Sequence, residues 1–95
     1  MRNTYIVCYD IADPKRWRRV HKMMLGHGDP LQLSVFLCEL SPTERQVLIS
    51  RLHEVLNHAE DALAIIDLGP ADSGSRHVTT FGTARWEAGK RVIVV

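Results

Sequence analysis

Apolar and polar positions along this 95-residue chain follow two periods, one of strands and one of helices. Residues 4–10 open with an apolar run, Tyr5-Ile6-Val7-Cys8-Tyr9, that predicts a strand ending on Asp10. Tyr5, Val7 and Tyr9 fall on one face and Ile6 and Cys8 on the other, so the strand is apolar on both sides. Asp13 is then a helix N-cap with Pro14 at the first helical position, which predicts a helix from about 14 to 26. Its apolar stripe is Trp17, Val20 and Met24 with Met23 alongside, and Gly26 and Gly28 stop it. Leu31 to Leu40 is extended, and either bends or folds into a tight hairpin near Ser34. Ser41-Pro42-Thr43-Glu44 spells a capping box with proline at N1. The helix it starts runs to about Asn57 and buries Val47, Leu48, Leu52, Val55 and Leu56. Ala62 to Leu68 reads as another buried strand, closed by Gly69-Pro70. Ala71 to Arg76 is a polar loop, His77 to Trp86 holds a short strand, Glu87-Ala88-Gly89-Lys90 is a turn, and Arg91 to Val95 forms a terminal strand.

If Leu31 to Leu40 supplies two antiparallel strands, the order is that of an α+β, ferredoxin-like βαββαβ sandwich with an extra C-terminal strand. Residues 1–95 then make one domain, with a core over about 1–70 and a tail over about 71–95. Both helices cover one face of such a sheet. The apolar second face of the first strand needs its own cover, and a second copy of the chain, packed face to face, supplies one. Val92-Ile93-Val94-Val95 would be an aggregation hazard on an open sheet edge. Pairing with a partner's sheet or with its own chain would each resolve that.

Composition narrows the class. An apolar fraction of 45% is that of an ordinary globular protein. A domain this small has a marginal core and favours association. No apolar run approaches the ~20 residues of a membrane span, and the start lacks a signal-peptide pattern. Cys8 and Cys38 lie in apolar runs and read as reduced core residues of a cytoplasmic protein. The net charge of +1 conceals segregation: residues 1–28 carry six bases and two acids, residues 29–72 two bases and eight acids, and residues 73–95 four bases and one acid. Two basic ends around an acidic middle suggest one face for phosphate and another for a different partner.

Asp10 is where acid, strand end and positive charge converge. Asp13 already fills the cap, so Asp10 is free for metal or phosphate chemistry. Magnesium prefers oxygen ligands, keeps several waters and often takes one or two carboxylates. A two-fold dimer can bring two copies of Asp10 to its axis, where a shared Mg2+ would relieve their repulsion. Such an ion activates water and stabilises charge on a phosphodiester. Lys15, Arg16, Arg18, Arg19 and Lys22 form the best phosphate-contact set, spread over more than one side of the helix, so that about three could face one duplex. Arg76, Arg85, Lys90 and Arg91 are weaker candidates. Trp17 reads as core, Ser34 lacks a base to make it a nucleophile, and the five histidines are scattered, with His53 and His58 not sharing a helix face.

Tyr9-Asp10-Ile11 with Asp13, the Arg/Lys-rich first helix, Gly28, and Gln32-Leu33-Ser34-Val35-Phe36 together resemble the small CRISPR-associated Cas2 family, the non-integrase subunit of spacer acquisition. The pattern covers roughly residues 4–70, and Asp29-Pro30 departs from it mildly. The resemblance implies a ferredoxin-like homodimer with face-to-face sheets and a terminal strand exchanged between protomers. It also implies a scaffold that contacts duplex DNA and bridges the CRISPR integrase subunit, Cas one. Members are further described as metal-dependent nucleases on RNA or DNA, with the aspartate matching Asp10 as magnesium ligand. Tyr9, Gln32, Ser34, Val35 and Phe36 would hold the bend and the dimer core. A purely structural DNA-binding adaptor is one alternative. A ribonuclease toxin of the virulence-associated D type, which shares the fold and opening motif, is another.

Overall fold

The computed structural model describes residues 1–71, 78–82 and 92–94. β1 (Asn3–Asp10) is followed by α1 (Pro14–Leu25), β2 (Asp29–Gln32), β3 (Val35–Leu40), α2 (Pro42–Val55), β4 (Ala62–Pro70), β5 (Val78–Thr80) and β6 (Val92–Val94). The first four strands form one antiparallel sheet in the order β2-β3-β1-β4. That order, with β1 central and the two crossover helices, is the expected ferredoxin-like arrangement.

Both helices begin as their sequences dictate. The Asp13 carboxylate accepts the Arg16 backbone N–H at 2.8 Å, and Ser41 and Glu44 complete a reciprocal capping box at 3.1 and 2.8 Å. The core lies between the helices and one sheet face. It comprises Tyr5, Val7 and Tyr9 of β1, Phe36, Cys38 and Leu40 of β3, Val20 and Met24 of α1, and Leu48 and Leu52 of α2. Leu31 to Leu40 resolves as a hairpin whose turn is Leu33-Ser34. Pro30 falls on an edge strand, where proline is tolerated, and the register shifts between Pro30 and Gln32. Gly28 is required by close approach: a Cβ there would lie 2.6 Å from the Leu37 carbonyl oxygen and against Cys38 Sγ.

Three expectations change. β4 is an edge strand rather than a fully buried one, and Ile66 is 47% exposed. Val47 points outward at 42% exposure, because the inner face of α2 is set by Leu48 and Leu52. α2 ends at Val55, so His58 folds back and stacks on His53 with ring centroids 5.1 Å apart. β6 pairs in parallel with β5 of its own chain. Arg76, Arg85, Lys90 and Arg91, and the turn over 87–90, lie outside the described residues.

Across the sheet from the helices, Ile6 and Cys8 lie in register with Leu37 and Val35 on one side and with Ile66 and Ala64 on the other. This face is apolar, and among the described residues no helix covers it.

Candidate metal and nucleic-acid site

Asp10 is the last residue of β1, exposed, and paired in register with Ala62 at the start of β4. Among the described residues its carboxylate makes no hydrogen bond or ion pair. The chain turns directly from it through Ile11 and Ala12 into the capped start of α1. An unengaged carboxylate at a solvent-facing strand end suits a magnesium ion, which keeps most of its waters and takes few protein oxygens. Among the described residues, no three of His, Cys, Asp and Glu converge on a common point. One chain therefore brings one carboxylate, and further ligands would be water, substrate or a second copy.

The cationic set of α1 divides in two. Arg16 is taken up internally: its Nε donates to Asp61 at 2.6 Å, its Nη2 to Asp61 at 3.0 Å, and Nη2 also reaches Glu60 at 3.2 Å. Asp61 holds the guanidinium proton more firmly than usual, and the guanidinium in turn keeps the Asp61 carboxyl well below the ordinary carboxylate range. Lys15, Arg18, Arg19 and Lys22 are exposed. Their spacing of i, i+3, i+4 and i+7 puts all four on one stripe, opposite the buried Val20 and Met24. The cations thus lie on more than one side of the helix, as expected, with four rather than three sharing one side. Without Arg16 the four form a continuous exposed cationic row.

The Gln32 to Phe36 motif has a different job. Phe36 is fully buried against the helices, so it belongs to the core of the single chain. Ser34 links three elements: its hydroxyl accepts the Trp17 indole N–H at 2.8 Å and its carbonyl accepts the Tyr9 N–H at 3.0 Å. Trp17 is therefore half-buried and tethered, not a free stacking platform, and its other partner is His21, stacked at 4.6 Å. Val35 lies half-buried on the helix-free face beside Cys8, and Gln32 is exposed. The Tyr9 hydroxyl lies 3.3 Å from His21 Nδ1 and 3.5 Å from the Leu33 carbonyl. Burial pushes its phenol up to about 12, so Tyr9 stays protonated and cannot serve as a base near neutral pH. Burial likewise pushes the Cys38 thiol up to about 12.

Sequence reasoning missed Asp61. Its signal is long-range, since its partner Arg16 is 45 positions away and neither residue forms part of a local motif.

The family described as "CRISPR associated protein Cas2" matches residues 3–76. A CRISPR-associated endoribonuclease Cas2 from Geobacter sulfurreducens is 45% identical over 82 residues, covering 86% of this chain and 86% of its own. Its counterpart in Rhodospirillum rubrum is 44% identical, covering 86% of this chain and 80% of its own. A crystal structure of a Cas2 superposes with a TM-score of 0.73 at 28% identity, covering 95% of this chain and 98% of that one.

Proposed function

Since this chain belongs to the CRISPR-associated Cas2 family, we propose that it is a magnesium-dependent endonuclease of a CRISPR system, acting on RNA or DNA as a homodimer. The observation that carries this reading is the free carboxylate of Asp10 at the end of β1, next to the start of a helix whose outer row is cationic. Its relatives' designation as endoribonucleases supports RNA as a substrate.

The chain's own residues divide the work. Lys15, Arg18, Arg19 and Lys22 hold successive phosphates without reading bases. Asp10 would hold the cation at the end of β1, close in sequence to the start of α1. Tyr9, protonated and packed, fixes the strand that ends on Asp10. Magnesium, when bound, supplies activation of water and neutralisation of charge developing on phosphate. The apolar face carrying Ile6, Cys8, Val35, Leu37 and Ile66 suits a second copy, which would add a second Asp10.

A second reading rests on the cationic row itself. Such a row supports a DNA-binding scaffold in spacer acquisition that contacts duplex DNA and Cas one, in which Asp10 has no catalytic part.

The two readings separate in one assay. Labelled single-stranded RNA and duplex DNA are incubated with Mg2+ and either wild type or Asp10→Ala at matched oligomer content. A metal worth several kcal/mol at the transition state predicts a loss of more than about a hundredfold in Asp10→Ala, with chelation stopping the wild type. Equal background from both proteins, with duplex binding intact, would remove the nuclease and leave the scaffold.

A further inference from the structure

Asp61 is the most heavily engaged carboxylate among the described residues. Its side chain is fully enclosed, with 0% exposure, against 18% for Arg16. Oδ1 accepts the Ala12 backbone N–H and Arg16 Nη2, both at 3.0 Å, while Oδ2 accepts Arg16 Nε at 2.6 Å and the Asn57 backbone N–H at 2.9 Å. Each oxygen thus takes one guanidinium N–H and one backbone N–H. The paired fork matches guanidinium to carboxylate, and both are held in plane.

The placement of these bonds matters more than their number. Ala12 is two residues after Asp10, and Arg16 lies in the first turn of α1. Asp61 itself immediately precedes Ala62, the register partner of Asp10 on β4. Asp10 is therefore held from both directions. Its strand is paired to the residue after Asp61, and the loop leaving it is drawn back onto Asp61. Asp13, capping α1, closes the other end of that loop. With Asp61 removed, the Ala12 N–H and the Arg16 guanidinium would both seek water, and the backbone from Asp10 to Asp13 would lose its only side-chain anchor outside α1 among the described residues.

We propose that Asp61 is a positioning residue for Asp10, setting the strand-end geometry at which Asp10 holds a divalent cation. The proposal rests on the metal reading of Asp10 given above. Asp61 touches neither metal nor substrate and acts through the backbone of residues 10–13. Outer partners that orient a metal ligand are typically worth 10–100-fold in metal affinity.

The test uses the full chain with Mn2+ as a paramagnetic stand-in for Mg2+, free ion being read by electron paramagnetic resonance. Wild type, Asp61→Asn and Asp10→Ala are compared well below each protein's melting temperature, alongside amide hydrogen exchange. Folded Asp61→Asn should bind Mn2+ 10–100-fold more weakly than wild type. Its exchange should rise at residues 10–13 more than in β3 or α2. A role confined to general stability would lower the melting temperature yet leave the Mn2+ affinity of the folded protein unchanged, and that result overturns the proposal. If Asp61→Asn does not fold, Asp61→Glu is judged by the same two readouts, because it keeps the charge on Arg16 but displaces the carboxylate by one methylene. Wild type and Asp10→Ala binding Mn2+ alike would instead defeat the metal reading. Exchange at residues 10–13 alone then decides whether Asp61 holds Asp10 in place.

Discussion

The two helices of this protein start alike, bury alike and differ in almost everything else. Each has a side-chain cap followed by proline, and each sinks two residues fully into the core, Val20 and Met24 from α1 and Leu48 and Leu52 from α2. Outward, α1 presents Lys15, Arg18, Arg19 and Lys22, whereas α2 presents Thr43, Gln46, Val47, Ser50, Arg51 and Glu54, a mixed surface with no run of one sign. Their anchors differ too. The first turn of α2 is secured locally, by Ser41 and Glu44 three residues apart, with Arg2 reaching Glu44 at 2.6 Å. That of α1 is capped by Asp13 and tied through Arg16 to Asp61, an enclosed pair where Arg2–Glu44 is exposed. Packing treats the helices as equivalent, and they differ on the faces that packing leaves alone.

That equivalence can be broken most severely from inside. Met24→Ala and Leu48→Ala should each cost about 2–5 kcal/mol, because both side chains are fully buried. Urea melts of the two variants check this, and a cost near zero for either would mean that its helix is not part of the shared core.

The outward difference should appear as salt dependence. Four phosphate contacts from α1 predict a slope of log K against log salt of about −3.6 per protomer on duplex DNA, or roughly a hundredfold loss between 50 and 200 mM. Replacing any one of Lys15, Arg18, Arg19 or Lys22 by Gln should lower that slope by about 0.9, and Arg51→Gln on α2 should leave it unchanged. Fluorescence anisotropy at four salt concentrations measures both. A smaller slope change for Arg16→Gln than for Arg18→Gln would further confirm that Arg16 faces inward.

The smallest effect concerns the anchors in acid. Asp61 and Glu44 both sit below their ordinary carboxylate values, Asp61 chiefly through the Arg16 hydrogen bond and Glu44 through the Ser41 backbone N–H. A lowered folded value means stability that is fully present above the unfolded carboxylate range of about 4 and lost as pH falls toward the folded value. Wild type should therefore lose melting temperature progressively below pH 4. Asp61→Asn should flatten that decline more than Glu44→Gln, since the Asp61 shift is the larger. Melting curves at pH 2.5 to 6 decide the order.

How far each part could be read in advance follows the range of its interactions. Helix starts rest on residues three positions apart, so Asp13-Pro14 and Ser41 to Glu44 were legible at once. The βαββαβ order was legible on the condition that Leu31 to Leu40 made two strands, a condition that the turn at Leu33-Ser34 meets. The outward turn of Val47 was not legible, because two adjacent apolar residues on a helix compete for one inner face and only the sheet beneath chooses between them. Nor was the edge position of β4, whose apolar run resembles that of a central strand. His53 and His58 met only because α2 stopped at Val55, two residues earlier than its composition suggested.

By itself, then, the order of residues determined the first strand, both helix starts and their caps, the cationic character of α1 and the carboxylate at the end of β1. These depend on neighbours along the chain, where distance in sequence is distance in space. Tertiary structure alone decided which cation of α1 faces inward, which carboxylate is enclosed and which is left free. Spacing sets Arg16 off the row of its neighbours, but its partner Asp61 lies 45 residues away, and only the closing of β4 against β1 brings it there.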